Sequence, residues 1–539
     1  MGERLNFTEA FKGGLRRDSR AERNVPSLVQ AQNVKALRFG LRPYEDVTDP
    51  LSAAMQSAIG AYVNPHPMIF RGKNMTLLAD TTDVYDINEV AASSGWIAQN
   101  GIAPTGNDDP LQIKLFTAPT GGDSAITGDA VWHFADFWNS WFLTNGTSIV
   151  FQVGGLLESD YVGKTFVEKT YTAQTCCTFR GRLFTAGLST SEFWKTAWDT
   201  YWLAAVTQDP SGLLPANMNL ATANMVWWST IGGGDFLMFL DDGFGVAGHP
   251  SFSSGYSTSL PIVYDYMKRN EAGLMPMPFQ GTVQKLLPMT EGVVVYCEQG
   301  VGALVPYSQP VPAMGYVQVS DIPVAGRGMA AGSESEHVWL DPEGTLWHVD
   351  NKFAVTELGY KEWLSGVAGD SDGLISYDPH QKEYYFTGGG ECFVLSKQGL
   401  TGPVNEEVIG VARASNNVLV GIPDATTAIA SDGVVVQTET FHGSERGVDS
   451  LDEIKLVTSD TSAAAVTVQV KYKLDSGDGW TQTDYMTPDG SGIVRPLVSG
   501  VEFRLVIRGD DYANLTTGFD DLYVTLKAAG KRDLRALLA

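Results

Sequence analysis

Two acidic loops, Asp370-Ser371-Asp372-Gly373 and Asp475-Ser476-Gly477-Asp478-Gly479, carry the oxygen donors and glycines that a calcium site uses. Both lack the glutamate at the twelfth position that closes such a loop bidentately, so the ordinary reading is a pair of Asp-rich turns. Seven histidines (His66, His133, His249, His337, His348, His380, His442) never fall at i, i+4 or as His-x-His. His337 and His348 flank one hairpin and are the pair best placed to share a metal, although plain turn or strand histidines are the commoner outcome. There is no Gly-x-Ser-x-Gly elbow, no phosphate loop ending in Gly-Lys-Ser/Thr and no paired-cysteine spacing. Gly326-Arg327-Gly328 has no helix pattern behind it, which removes a dinucleotide fingerprint. The sequence therefore points to no catalytic residue, no cofactor and no metal. Its 62 acidic residues include carboxylates enough for a sugar-cleaving pair, but none stands in a distinctive constellation.

Two other groups have types and spacing suited to contact rather than catalysis. Trp194, Trp198 and Trp202, with Phe193 and Tyr201 beside them, recur at i, i+4 and i+8, one face of a helix. Such a stripe suits a carbohydrate platform, but more often it packs onto its own core or a neighbouring subunit. The second group is cationic. Residues 1–43 hold nine Lys/Arg against four acids, a balance of +5 in a chain of net charge −25, so the remainder carries −30. Arg16, Arg17, Arg20, Arg23, Arg38 and Arg42 are candidates for docking onto an acidic neighbour. Lys531, Arg532 and Arg535 form a smaller basic, helix-prone stretch at the far end. An acidic chain is a poor duplex binder, because phosphate affinity comes largely from Lys/Arg contacts.

The elements that must position these groups are hairpins. A short apolar strand, a Gly/Asp turn and a second apolar strand recur with starts at 293, 338, 384 and 429, spaced 45, 46 and 45 residues apart. The turns are Glu298-Gln299-Gly300, Asp341-Pro342-Glu343-Gly344, Gly388-Gly389-Gly390 and Ser431-Asp432-Gly433. A period in the forties built from hairpins marks β-propeller blades. Less regular starts near 75, 141, 183 and 236 bring the candidates to eight, and six to eight blades is the expected range. The wider early spacing predicts insertions near 92–130 and 187–220.

The flanks read differently. Residues 1–65 are turn-rich with a modest helical stretch near 28–34, and predict an extended N-terminal arm with one short helix. Residues 66–440 are assigned to the propeller. From 441 to 528, strictly alternating strands at 466–472, 503–508 and 522–527 predict a β-sandwich, followed by a basic arm at 529–539. The whole is expected to be all-β.

With 43% apolar residues the chain is ample for a core. No apolar run approaches the length of a membrane span, and the N-terminus lacks a signal-type segment, so membrane insertion and secretion are not expected. Four cysteines, two of them adjacent, predict free buried thiols.

Several phrases resemble one family. Phe11-Lys12-Gly13-Gly14-Leu15-Arg16-Arg17-Asp18, then Ala31-Gln32-Asn33 and Gly40-Leu41-Arg42-Pro43, resemble the opening of tailed-bacteriophage tail-nozzle or head-to-tail connector proteins. Arg180-Gly181-Arg182-Leu183-Phe184, Val226-Trp227-Trp228-Ser229 and Gly233-Gly234-Asp235 are similar to the blade phrases of their propellers, and residues 499–505 to their terminal domain. The resemblance implies a structural virion subunit, repeated as a ring, typically sixfold, around the channel through which DNA leaves. Its partners would be copies of itself, portal-adaptor and tail proteins, and DNA in passage. Its location would be the virion neck or tail, after assembly in the host cytoplasm. The alternatives from other classes are a glycan- or receptor-binding tail module and a polysaccharide-degrading propeller.

Overall fold

The computed structural model describes residues 3–16, 27–44, 68–72, 76–79, 83–86, 111–113, 115–117, 125–127, 131–137, 140–152, 165–168, 171–187, 189–190, 223–229, 231, 273–307, 314–404, 408–413, 419–423, 433–443, 447–458, 466–509 and 519–529. Among them, seven sheets follow one another as blades. Blade 1 contains Met68–Arg71, Thr76–Ala79, Val84–Asp86 and Leu111–Gln112. Blade 2 contains His133–Phe137, Ser140–Thr144, Ile149–Gln152 and Thr165–Glu168, with Leu115–Thr117 added in parallel at its edge. Blade 3 is Thr175–Phe179, Arg182–Ala186, Met225–Trp228 and Gly273–Pro276. Blade 4 is Val283–Met289, Gly292–Cys297, Gly300–Pro306 and Met314–Ser320. Blade 5 is Ala330–Gly332, Glu336–Leu340, Leu346–Asp350 and Val355–Gly359, and blade 6 is Leu374–Asp378, Glu383–Gly388, Glu391–Leu395 and Leu400–Thr401. Blade 7 contributes Val408–Arg413 and Leu419–Pro423.

The fold is a β-propeller. The first strand of each blade from 2 to 7 lies beside the first strand of the next, and blade 7 lies beside blade 1. The circle closes where Phe70 of blade 1 stacks on Phe134 of blade 2, with ring centroids 5.5 Å apart. Radial packing also explains the sequence texture. The second strand of blade 4, Gly292–Cys297, is buried at every position, because neighbouring blades cover both faces of its sheet. The outermost strand, Met314–Ser320, is mostly accessible and correspondingly more polar. Turns between strands are set by carboxylates: Asp341 Oδ1 accepts from the backbone N–H of Glu343 and Thr345, each at 2.9 Å, and Oδ2 accepts from Trp347 Nε1 at 3.0 Å.

Neighbouring blades are also stapled by polar groups. His337, fully buried in blade 5, donates from Nε2 to the Pro288 carbonyl of blade 4 at 3.2 Å and accepts at Nδ1 from the Tyr296 hydroxyl at 3.1 Å. Burial, with smaller contributions from the His348 and Lys285 charges, pushes its pKa down to about 4. An unfolded histidine titrates near 6.5, so below that pH the unfolded chain binds the extra proton. Stability from this site is complete above about pH 6.5 and is lost as pH falls toward 4, amounting to about 2 kcal/mol at pH 5. Urea unfolding at pH 7.5 and pH 5 should show that loss in the parent protein and a smaller one in His337→Gln; equal losses would contradict the assignment.

The flanking segments depart from expectation. The stretch 28–34 is not helical: Leu28–Gln32 and Val34–Leu37 are strands, broken by Asn33 at φ 55°. A register shift between Leu28 and Gln30 inserts one residue, which turns the i, i+2 spacing of a strand into the i, i+3 spacing of Leu28 and Ala31. The short helix, α1, is Thr8–Gly13. The N-terminal segment is also no free arm. Glu3–Asn6 pairs with Phe519–Ala529, and Leu28–Gln32 pairs with Val435–Thr438. Val435–Thr438 is itself a sandwich strand, although the fourth period of the repeat reads it as a blade; its partners are Leu28–Gln32 and Glu502–Gly509.

The sandwich is thus built from both ends of the chain. One sheet runs Val34–Leu37, Gly40–Pro43, Phe519–Ala529, Val448–Thr458, Ile493–Val494, with Glu3–Asn6 and Val498–Gly500 attached. The other runs Leu28–Gln32, Val435–Thr438, Glu502–Gly509, Val466–Lys473, Thr481–Gln482. A single apolar cluster joins Phe11 of α1 and Leu41, Leu451, Val468, Leu505 and Val524 of the sandwich to Trp339, Phe386 and Leu400 of blades 5 and 6 and to Leu364 in the helical connection between those blades. Each large side chain so buried contributes roughly 2–3 kcal/mol. All four cysteines are free and buried.

Candidate interaction surface

The basic residues of the N-terminal segment divide into those used inside the chain and those presented outside. Arg16 follows α1 and lies between helix α2 (Lys361–Ala368), which joins blades 5 and 6, and the sandwich. Its Nη2 donates to both carboxylate oxygens of Glu362 at 2.9 and 2.8 Å, and its Nη1 donates to Glu439. Its carbonyl accepts from Trp363 Nε1 at 3.0 Å. Arg42 Nη2 donates to Asp520 at 2.7 Å. Lys35 Nζ donates to Glu383 at 2.8 Å and to the Tyr385 hydroxyl at 3.3 Å, and lies over the Tyr44 ring at 5.2 Å. Arg16 and Arg42 are therefore internal rivets. Their charges are matched by carboxylates within the chain.

Arg38 is different. It sits at the tip of the hairpin made by Val34–Leu37 and Gly40–Pro43, exposed, with its guanidinium 5.5 Å from the Phe39 ring. Phe39 is 68% exposed and Leu37 38%. The hairpin beneath is firmly held, since Val34, Ala36 and Leu41 are fully buried. A cation flanked by two accessible apolar side chains on a rigid stem is an anchor of the kind that fills a pocket on a partner. Sequence reasoning selected Arg38 for its charge and missed Leu37 and Phe39. The available signal was two large apolar residues in a turn, where polar residues are usual.

Arg17, Arg20, Arg23, Lys531, Arg532 and Arg535, the aromatic stripe Trp194, Trp198 and Trp202, and the two expected insertions fall wholly or largely outside the described residues.

The residues weighed for metal chemistry have other work. Asp370 Oδ1 accepts from Asp372 N at 3.1 Å and Oδ2 from Gly389 N at 2.7 Å, tying a turn to blade 6. Asp478 Oδ2 accepts from Asp475 N at 3.1 Å. His337 and His348 occupy adjacent strands out of register, and His348 faces Glu336 at 3.5 Å rather than its fellow histidine. Among the described residues no three His, Cys, Asp or Glu side chains gather as a metal site, and no helix is long and apolar enough to cross a membrane.

A second surface feature is an open groove of about 430 Å³ across blades 3 to 5, lined by Arg180, Glu291, Pro306, Lys352 and Phe353 among others. Arg180 and Phe353 hold φ at 46° and 63°, so two tight turns shape its walls. Its lining offers both charge signs together with the Phe353 side chain.

No protein-family model matches the chain, and no curated protein does. Among solved structures, it is similar to PorZ, an essential bacterial surface component of the type-IX secretion system of Porphyromonas gingivalis, at 9% identity and TM-score 0.32 over 79% of this chain; the chain spans 46% of PorZ. The WD40 β-propeller domain of Doa1 matches at 9% identity and TM-score 0.32, over 68% of this chain and 92% of that one. Human WBSCR16 matches at 12% identity and TM-score 0.30, over 73% and 88%.

Proposed function

We propose that this chain is a structural subunit of a tailed-bacteriophage virion, a tail-nozzle or head-to-tail connector component that closes with copies of itself into a ring, sixfold in the resembling family, around the DNA exit channel. The observation that carries the reading is the Leu37-Arg38-Phe39 tip: an exposed cationic and aromatic anchor on a rigid hairpin, in a chain whose remainder is strongly acidic. The phrases behind the resemblance support it further. Gly13-Gly14-Leu15, Ala31-Gln32-Asn33 and Gly40-Leu41-Arg42-Pro43 all lie at the seam where the N-terminal segment joins propeller and sandwich, through Leu15 N to Leu400 O at 2.7 Å, Asn33 N to Pro403 O at 3.1 Å and the Leu41↔Phe519 pairing. A subunit that must bear load during DNA passage benefits from such a seam. An acidic surface repels phosphate, so DNA would slide past it without adhering.

Single-particle images and sedimentation of the purified protein test the reading. The parent protein is expected to form rings, and Arg38→Glu/Phe39→Asp to remain monomeric with an unchanged thermal midpoint. A parent protein that stays monomeric under all conditions, or a double variant that assembles normally, would sink it.

A further inference from the structure

The two sheets of the sandwich differ in charge. In the sheet that holds Glu3–Asn6 and Gly40–Pro43, acids and bases are mixed and pair with each other, as Arg42 does with Asp520 and Lys527 with Asp452. The strands of the other sheet, Leu28–Gln32, Val435–Thr438, Glu502–Gly509, Val466–Lys473 and Thr481–Gln482, carry Lys471, Lys473, Arg504 and Arg508 against a single carboxylate, Glu502. All of these cations share one face. Phe503, Leu505 and Ile507, with Val466, Val468 and Val470 on the adjacent strand, are fully buried in the apolar cluster, so alternation turns Arg504, Arg508, Lys471 and Lys473 away from it. Register sets Lys473 opposite Glu502, and the two pair at 3.0 Å. It also sets Lys471 directly opposite Arg504. Lys471 Nζ donates to Gln437 Oε1 at 3.4 Å and Arg504 Nε to Thr440 Oγ1 at 2.8 Å, but among the described residues neither they nor Arg508 meet a carboxylate. Aromatic rings bed the cations: Arg504 and Lys473 lie 4.5 and 4.8 Å from the centroid of Trp480, and Arg508 lies 5.1 Å from that of Tyr485. Arg508 is exposed, and Lys471 and Arg504 are half-buried.

Like charges set directly opposite each other on a sheet face destabilise it. A chain with 62 acidic residues could seat a carboxylate at either position, as it does opposite Lys473, so the Lys471 and Arg504 pairing points outward. We propose that this face of the sandwich docks an acidic polypeptide segment of a partner protein, whose Asp or Glu side chains are received by Lys471, Arg504 and Arg508. The guanidiniums suit that role. Stacking on a ring holds a guanidinium in place while its N–H fork stays free to grip a carboxylate with two parallel hydrogen bonds. Among the described residues the Arg508 guanidinium makes no hydrogen bond, and Arg504 uses only its Nε. Nucleic acid fits less well: three cations neutralise few phosphates, and a chain of net charge −25 repels a dense polyanion beyond the patch itself. A sugar is also disfavoured, since the Trp480 and Tyr485 rings carry cations instead of standing free for stacking. The Leu37-Arg38-Phe39 tip belongs to the opposite sheet, so this docking face does not depend on ring closure.

Fluorescence anisotropy of a labelled octaglutamate peptide, titrated with the full-length protein at neutral pH and low salt, tests the face. The parent protein is expected to bind the peptide, and more weakly as salt is raised. Arg504→Gln/Arg508→Gln should lose about tenfold or more in affinity, and Arg508→Gln, which changes one exposed side chain, about threefold or more. Arg495→Gln is the control: that cation, 59% exposed beside Ile493–Val494 of the opposite sheet, should be replaceable with no change in binding. An oligothymidylate of equal charge is the second arm. Failure of the peptide to bind, parent-like affinity in Arg504→Gln/Arg508→Gln, an equal loss in Arg495→Gln, or tighter binding of the oligothymidylate than of the peptide would each overturn the proposal.

Discussion

Replacing Lys35 with Met is expected to destabilise the protein by about 3–5 kcal/mol, the cost of stranding a buried carboxylate. Glu383 is 3% exposed at its side chain, and its salt bridge to Lys35, at 2.8 Å, crosses from the N-terminal strand Val34–Leu37 to the second strand of blade 6. Without the ammonium, the Tyr385 hydroxyl at 3.2 Å is left as the donor shown to that carboxylate. Removing both charges should restore most of the loss, because a buried pair gains little over a well-packed apolar replacement. Urea unfolding of Lys35→Met, Glu383→Met and the double variant measures the coupling. If Lys35→Met costs under about 1 kcal/mol, the pair behaves as a solvated surface bridge and the seam is held by apolar packing alone.

The second large effect is expected at Gly399. A Cβ built there would lie 1.8 Å from the Gly13 carbonyl oxygen, a backbone atom at the end of α1 that no rotamer change can move. The neighbouring contact is also close: a Cβ at Gly14, whose φ is +68°, would lie 2.2 Å from the Leu400 carbonyl oxygen, which also accepts from Leu15 N at 2.7 Å. Gly399→Ala should therefore unseat α1 from blade 6 and expose Phe7 and Phe11, which are 1% and 0% exposed. We expect a loss of more than about 3 kcal/mol, in the range of core disruptions. Hydrogen exchange should rise over residues 3–16 and over the adjoining strand Phe519–Ala529, with blades 2 to 4 unaffected. Parent-like exchange at residues 3–16 would mean that the seam yields at no cost.

Much of the propeller was legible because a blade is a local object. Its second and third strands are adjacent in sequence and joined by turns whose Asp and Gly residues have a direct mechanical role, as Asp341 and Gly344 do. Alternation marked Val466–Lys473 and Glu502–Gly509 as half-buried strands for the same reason, that side chains on a strand face opposite ways. The fourth repeat misled because an apolar strand after an Asp-Gly turn looks the same whether its partner lies in a blade or in a sandwich. The helical reading of 28–34 failed because a bulge imitates helical spacing.

The amino-acid sequence alone determined the class of structure, the propeller's period, the burial of the cysteines and the surplus of positive charge near the N-terminus. Which of those charges remain available was decided only by tertiary structure, since Arg16, Lys35 and Arg42 meet Glu362 and Glu439, Glu383, and Asp520 across hundreds of residues of chain. The same holds for the meeting of His133, in blade 2, with the Arg327 carbonyl of the connection after blade 4 at 3.1 Å. The physical reason is one of range. Turns and alternation act between near neighbours and leave a periodic trace, whereas the choice of distant partner depends on how finished surfaces fit, which no local pattern records.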